Sequence, residues 1–436
     1  MFHVSAFHRR MRRAGLGLLL LGLAGPVRAQ SMPAIDAAVE RHTPQIVALR
    51  HRIHQNPELS NREHDTAALV AEHLRALGFD EVRTGVAYTG VVGVLRGGRP
   101  GPVVGVRADM DALPVTEATG LPFASTKRAV YGGQDVGVMH ACGHDIHTSV
   151  GMGVASVLAD MKASLPGTVV FLFQPAEEGP PEGEEGGAPL MIKEGATADP
   201  RPEAVFALHA LPSLEVGQVG FTFGPAMAAA DQWSARIIGR QAHAAQPQES
   251  VDPIVTAAQV VLGLQTIRSR NLSGLDDGVI TAGIIRGGER SNIIPSEVYL
   301  EGTVRTFDPK VQDLIERRMR EVIEHTTAAA GGTYEFIYDR GLPVTVNDPQ
   351  LGEQMLPALK RAVGDENVQI LLPSSGAEDF SYFAQQAPGF FFRLGTTRPG
   401  TTSGGLHTPT MTADDGAIPV GIRAMTTLVL DYLQGR

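Results

Sequence analysis

The chain has 436 residues, 43% hydrophobic and 19% charged, which excludes disordered and fibrous classes and leaves room for two or three domains. A net charge of −10 argues against a nucleic-acid binder, because phosphate neutralisation needs a basic face. A single cysteine excludes an intramolecular disulfide framework.

Residues 1–29 read as a secretory signal peptide rather than part of the fold. Arg9, Arg10, Arg12 and Arg13 precede an apolar run over 14–25, and Val27-Arg28-Ala29 matches a small-x-small cleavage site. The run is shorter than the about 20 residues a membrane span needs. Met11 serves equally well as a start, and the arginine pairs leave both the general and the twin-arginine export routes open. The alternative is a buried N-terminal helix. The segment holds five arginines and no acid, so cutting it off takes the net charge from −10 to −15. The expected product is a periplasmic or secreted protein with no membrane attachment after cleavage.

The spacing of apolar residues predicts helices over 34–52 and 63–77, the second stopped by Gly78. Strands are expected at 91–95, 103–106, 169–173, 204–208 and 390–394, several of them continuous apolar runs suited to burial on both faces. Helices over 145–162 and 350–363 lie between them. The stretch Gly97-Gly98-Arg99-Pro100-Gly101 is expected to be a hairpin turn. The middle of the chain reads differently: strand 232–238, helix 252–270, strands 279–285 and 297–306, helix 309–330, strand 333–338. That β-α-β-β-α-β order is ferredoxin-like. The expected architecture is therefore a mixed-sheet α/β domain over 30–224 and 342–436, interrupted by an inserted α+β domain at 225–341, with Gly224 and Gly341 as hinges.

Chemistry-bearing residues concentrate at strand ends. Three of the 14 histidines and the only cysteine fall in His140-Ala-Cys142-Gly-His144-Asp145-Ile-His147, just before a predicted helix. Thiolate and imidazole suit a borderline transition metal, and a helix N-terminus is expected to lower the thiol pKa. A nucleophilic Cys142 paired with histidine is the competing chemistry. Gln174-Pro-Ala-Glu177-Glu178 directly follows the strand at 169–173, so one of the two carboxylates can bind a metal while its neighbour stays free as a base. Glu182, Glu184 and Glu185 read as surface. His209 ends another apolar run, and His407 lies in a Gly/Thr-rich loop after the last strand. Ligands of open α/β sheets bind beyond the carboxyl ends of strands.

These motifs resemble the co-catalytic metallo-aminoacylase and carboxypeptidase family, in the branch of hippurate hydrolases, N-acyl-amino-acid amidohydrolases and plant auxin-conjugate hydrolases. The resemblance runs from LRHRIHQNPELS at Leu49 through RADMDALP at 107–114, HACGHDIHTS at 140–149, QPAEEG at 174–179 and AHAAQP at 242–247. It continues through NIIP at 292–295, GTVRTF at 302–307, GAEDFSYF at 376–383 and LHTP at 406–409. It implies a metallopeptidase-like catalytic domain with an inserted lid that also makes a homodimer contact, and a site for two divalent ions of Mn, Zn, Co or Ni. Cys142, His144, Glu178, His209 and His407 match the ligands and Glu177 the general base. His243 matches a histidine that reaches a neighbouring active site. Asn292, Arg305, Arg340 and Gly376 are the implied substrate positions, while Asp109 and Asp111 support the site without ligating. Two departures stand out: an added acidic loop at 180–185 beside the site, and Leu342 where related carboxypeptidases carry a carboxylate-binding arginine. That leaves Arg305 and Arg340 as carboxylate readers. The implied reaction is hydrolysis of an N-acyl or aryl-acyl amino acid. Cleavage of short peptides by a carboxypeptidase or dipeptidase is the alternative, and a non-catalytic metal-binding protein the remote one.

Overall fold

Strand after strand in this chain is apolar on both sides, so the sheet they form has to be covered on both faces. The structure, a computed structural model, describes residues 32–435, and the expected signal peptide lies outside them. Eight strands form the main sheet in the order Glu81–Val86, Gly90–Arg96, Pro166–Gln174, Arg99–Asp109, Ala204–Glu215, Gly389–Thr397, Val219–Phe221, Val368–Ile370. The four central strands, from Pro166–Gln174 to Gly389–Thr397, run parallel, and antiparallel neighbours flank them, so the sheet is mixed.

Side chains alternate across a strand, and the two faces show it. Val104, Val106, Phe171, Phe206, Phe390 and Phe392 pack beneath the helices Met32–Gln55, His144–Asp160, Pro349–Val363 and Ala417–Leu433. Val170, Leu172, Val205, Ala207 and Phe391 face the short helices Gly187–Lys193 and Phe380–Gln386.

The second sheet is antiparallel, in the order Gly278–Arg286, Glu297–Thr306, Ala229–Ile238, Thr333–Leu342. Helices Pro253–Thr266 and Pro309–Ala329 cover one of its faces around a core of Trp233, Val260, Leu300, Ile315 and Met319. Asp252 and Asp308 cap these two helices, and each has proline in its first turn. Among the described residues, no helix is long and apolar enough to cross a membrane.

One expectation fails here. Residues 97–101 are not a hairpin turn, because Gly90–Arg96 and Arg99–Asp109 are not neighbours: strand Pro166–Gln174 lies between them. The glycines instead let the backbone press against the turn that leads into that strand. Gly97 N–H donates to Gly167 O at 2.8 Å, and a Cβ on Gly97 would stand 2.1 Å from Leu165 O.

Candidate metal centre and active site

Parallel strands end together, so the loops leaving their carboxyl ends meet at one edge of the sheet. Asp109 and Asp111 lie at the end of one central strand, Glu177 and Glu178 just beyond another. His209 departs slightly from expectation: Ala204–Glu215 runs on past it, so it lies within a strand rather than beyond one. His407 comes ten residues after the last central strand. The backbone is strained at two of these places, since Ala176 and His407 are non-glycine residues with φ of +52° and +63°.

The five ligand positions implied by the resemblance converge. Cys142 Sγ lies 3.4 Å from His209 Nε2 and 3.3 Å from His407 Nε2. His407 Nε2 is 3.2 Å from Glu178 Oε1, and His144 Nε2 is 3.9 Å from the same oxygen. Glu177 Oε2 stands 3.7 Å from His144 Nε2. The far sides of the imidazoles are fixed. His209 Nδ1–H donates to Ala210 O at 2.7 Å, and His144 Nδ1–H donates to Asp111 Oδ1 at 3.1 Å. Each thus presents Nε2 to the cluster, the usual way an outer hydrogen bond sets a ligand's tautomer. His144 Nε2 is buried without a hydrogen-bond partner, an orphan that a cation would satisfy. The donor set of one thiol, three imidazoles and a carboxylate suits a divalent transition metal.

Asp111 does more than hold His144. Its Oδ2 also accepts from Ser60 Oγ at 2.8 Å and from Glu178 N–H at 3.0 Å, so one carboxylate orients two neighbouring positions. Asp109 accepts from His147 Nδ1–H at 2.5 Å, and His147 Nε2 in turn accepts from Ala210 N–H at 2.7 Å. Both His147 nitrogens are therefore used in locking the strand that carries His209. Behind the site, Asp145 accepts from Arg50 Nε at 2.7 Å and His54 Nδ1–H at 2.8 Å, fixing the start of the His144–Asp160 helix. This accounts for Arg50 and His54 of the LRHRIH motif.

Electrostatics correct one expectation. Cys142 is buried and precedes the helix, and burial together with Glu178 pushes its thiol pKa up rather than down. A thiol held neutral in this way is a poor nucleophile in the absence of a cation. His407 is pushed up to about 10 by its bonds to Cys142 and Glu178. Burial raises Glu177 well above the usual carboxylate range, and the nearby Glu378, Glu178 and Asp379 add to it. Glu378 escaped the sequence reading, as did Arg107, which binds Asp109, Glu378 and Asp379 in one buried network. The signal available for Arg107 was a charge inside an apolar strand.

The remaining positions lie elsewhere. His243 is exposed and accepts from Ala245 N–H in its own loop at 3.0 Å, bonding none of the cluster. Asn292 is exposed, and Arg305 donates to Val304 O. Gly376 is exposed in a loop whose N–H donates to Ser374 Oγ at 3.3 Å. Arg340 is corrected as a carboxylate reader: its guanidinium is taken by Glu316 at 2.7 Å and Asp313 at 2.8 Å on helix Pro309–Ala329. The acidic loop is also less free than expected, since Glu184 pairs with Arg62 at 2.6 Å and accepts from Asn61.

A mixed α/β sheet with histidine, cysteine and carboxylate gathered at its parallel strand ends defines the class: a hydrolase with a centre built for cations. The chain belongs to peptidase family M20/M25/M40, whose pattern matches residues 105–431. It is 37% identical to the N-acetyl-L-cysteine deacetylase of Bacillus subtilis over 90% of this chain and 88% of that protein. It is 38% identical to thermostable carboxypeptidase 2 of Saccharolobus solfataricus over 80% of this chain and 86% of that one. The Bacillus subtilis YXEP protein, described as a dinuclear metal binding peptidase, superposes with a TM-score of 0.75 at 32% identity, covering 91% of this chain and 99% of its own.

Proposed function

We propose that the protein is a metal-dependent amidohydrolase that cleaves N-acyl or aryl-acyl amino acids to a free amino acid and a carboxylic acid. Cys142, His144, Glu178, His209 and His407 would hold the two divalent ions, drawn from Mn, Zn, Co and Ni. The observation that carries this reading is Glu177: a carboxylate beside the cluster, 3.7 Å from His144 Nε2, whose proton affinity its surroundings raise. Bound cations would supply the Lewis acidity that brings the pKa of a water from about 16 toward 7 and polarises the scissile carbonyl. Glu177 takes the proton of the attacking water and returns it to the leaving amine. His243 donates to the developing oxyanion, a role typically worth about 3–4 kcal/mol.

Because His243 touches none of the cluster in its own subunit, this role calls for closure of a lid over 225–341 or for a second subunit. A homodimer is supported by the edge strand Gly278–Arg286 and by Ile254, Val255 and Leu262, exposed on the adjoining helix. Export to the periplasm or outside rests on residues 1–29.

The test is release of free amino acid from N-acetyl, N-benzoyl and dipeptide substrates, with chelator and with metal added back. Chelator-sensitive release, restored by a divalent ion and fastest on the acyl amino acids, is the expected result. Faster cleavage of dipeptides would make it a peptidase instead. Release from none of them would remove the hydrolytic reading.

A further inference from the structure

Arg340 is occupied, but another guanidinium lies beside the centre. Arg393 is the register partner of His209 in the neighbouring parallel strand, so the two side chains leave the sheet on the same face. Phe391 shares that face: its ring meets His209 edge-on at 6.2 Å and carries the Arg393 guanidinium at 4.9 Å. Arg393 lines a cavity of about 440 Å³ together with Leu211, Thr222, Leu371 and Ser374, a volume suited to a small ligand. Its Nη2 touches Met227 Sδ at 2.8 Å. Among the described residues, no carboxylate lies within ion-pair distance of it.

The contrast with its neighbours is sharp. Arg50 pairs with Asp145 and Asp415, and Arg107 with Asp109, Glu378 and Asp379. Arg393 is only part-buried and faces the cavity, where a thioether and an aromatic ring, and no acid, meet its guanidinium; a charge held so, with no opposite charge beside it, is open to an incoming anion. Burial pulls the guanidinium pKa down, while Glu378, Cys142 and Glu177 act in the opposite direction across the centre.

We infer that Arg393 reads the free α-carboxylate of the substrate's amino-acid half, and that the cavity it lines receives that half's side chain. This rests on the amidohydrolase reading above. It fills the role left open by Leu342 and by the occupied Arg340, and it makes the enzyme specific for conjugates that end in a carboxylate.

The experiment compares the metal-loaded wild-type protein with Arg393→Met, which nearly conserves volume, and Arg393→Lys. Benzoate release is followed from N-benzoylglycine and from its carboxamide, and binding of N-benzoylglycine is followed by calorimetry. Wild type should prefer the acid. Arg393→Met should raise KM for the acid about 100-fold, the worth of one lost charged hydrogen-bonding partner, and affect the carboxamide far less, so that the preference for the acid collapses. Arg393→Lys should recover part of the preference, and the Tm of Arg393→Met should not fall below wild type. Retention of the acid preference in Arg393→Met would overturn the inference, as would equal loss on both substrates together with a lowered Tm. Two further outcomes separate the readings. Binding of N-benzoylglycine that depends on Arg393, without cleavage of any amide, removes the hydrolase and keeps the subsite. Cleavage with no such dependence removes the subsite and keeps the hydrolase.

Discussion

Glu177 and Glu178 are chain neighbours with different surroundings. Glu178 is tied through its backbone N–H to Asp111 and stands 3.2 Å from His407, while Glu177 faces Glu378 and Asp379. If Glu177 moves protons and does not ligate, Glu177→Ala keeps its metal content by elemental analysis and loses about 10³-fold in kcat. Full activity in that variant would remove the mechanism. Cys142 should behave the opposite way. Cys142→Ala is expected to bind less metal, and unchanged metal content would show that it is no ligand. A thiol enzyme would survive chelators and die with alkylating agents, and the raised thiol pKa argues against that chemistry. Arg393 was hidden from the sequence reading because it interrupts the apolar run 389–394 by a single residue. A lone charge inside a strand buried on both faces is the signal that finds both it and Arg107.

Among the elements, the start of the His144–Asp160 helix is the most constrained. Gly143 has φ of +87°, and a Cβ there would lie 2.7 Å from that of Ala210. Gly143→Ala should therefore destabilise the protein by at least about 1–2 kcal/mol from the backbone alone, measured by denaturant unfolding; an unchanged midpoint would mean the turn can relax. The helix Met32–Gln55 anchors the same point through Arg50 and His54. Burial works against His54 protonation, but Asp145 and Glu117 outweigh it and raise the pKa above the ordinary value. A raised folded pKa gives stability that is complete below about 6.5 and is lost as pH rises through the folded value. His54→Gln should lack this loss, so the Tm gap between wild type and variant should shrink as pH is raised from 6 upward. A constant gap would show that His54 does not titrate there. Sequence patterning placed these two helices to within three residues at each end, 34–52 against Met32–Gln55 and 145–162 against His144–Asp160, because the length of an apolar run and the residues that break it are local. It misjudged residues 97–101, because which strand lies between two others depends on partners far away in the chain.

For the molecule as a whole, the site was legible because a parallel sheet must bring its strand ends together, so scattered motifs at strand ends predict one place. Charge placement was not legible. The burial that raises the Cys142 thiol, and the acids on helix Pro309–Ala329 that occupy Arg340, come from tertiary neighbours with no mark in the local sequence. The two sheets build on separate cores, one around Trp233 and Ile315 and the other around Phe206 and Phe390.

Cys142 and His407 meet across 265 positions of sequence, with the whole second sheet between them. A loop of that size is slow to close, and no short segment of the chain can gather the thiol, the imidazoles and the carboxylate by itself. Ion capture therefore comes late in folding and rewards only a nearly finished molecule. An ion that this centre holds would be taken from whatever medium bathes the chain when that long loop closes, and not captured by any short segment beforehand.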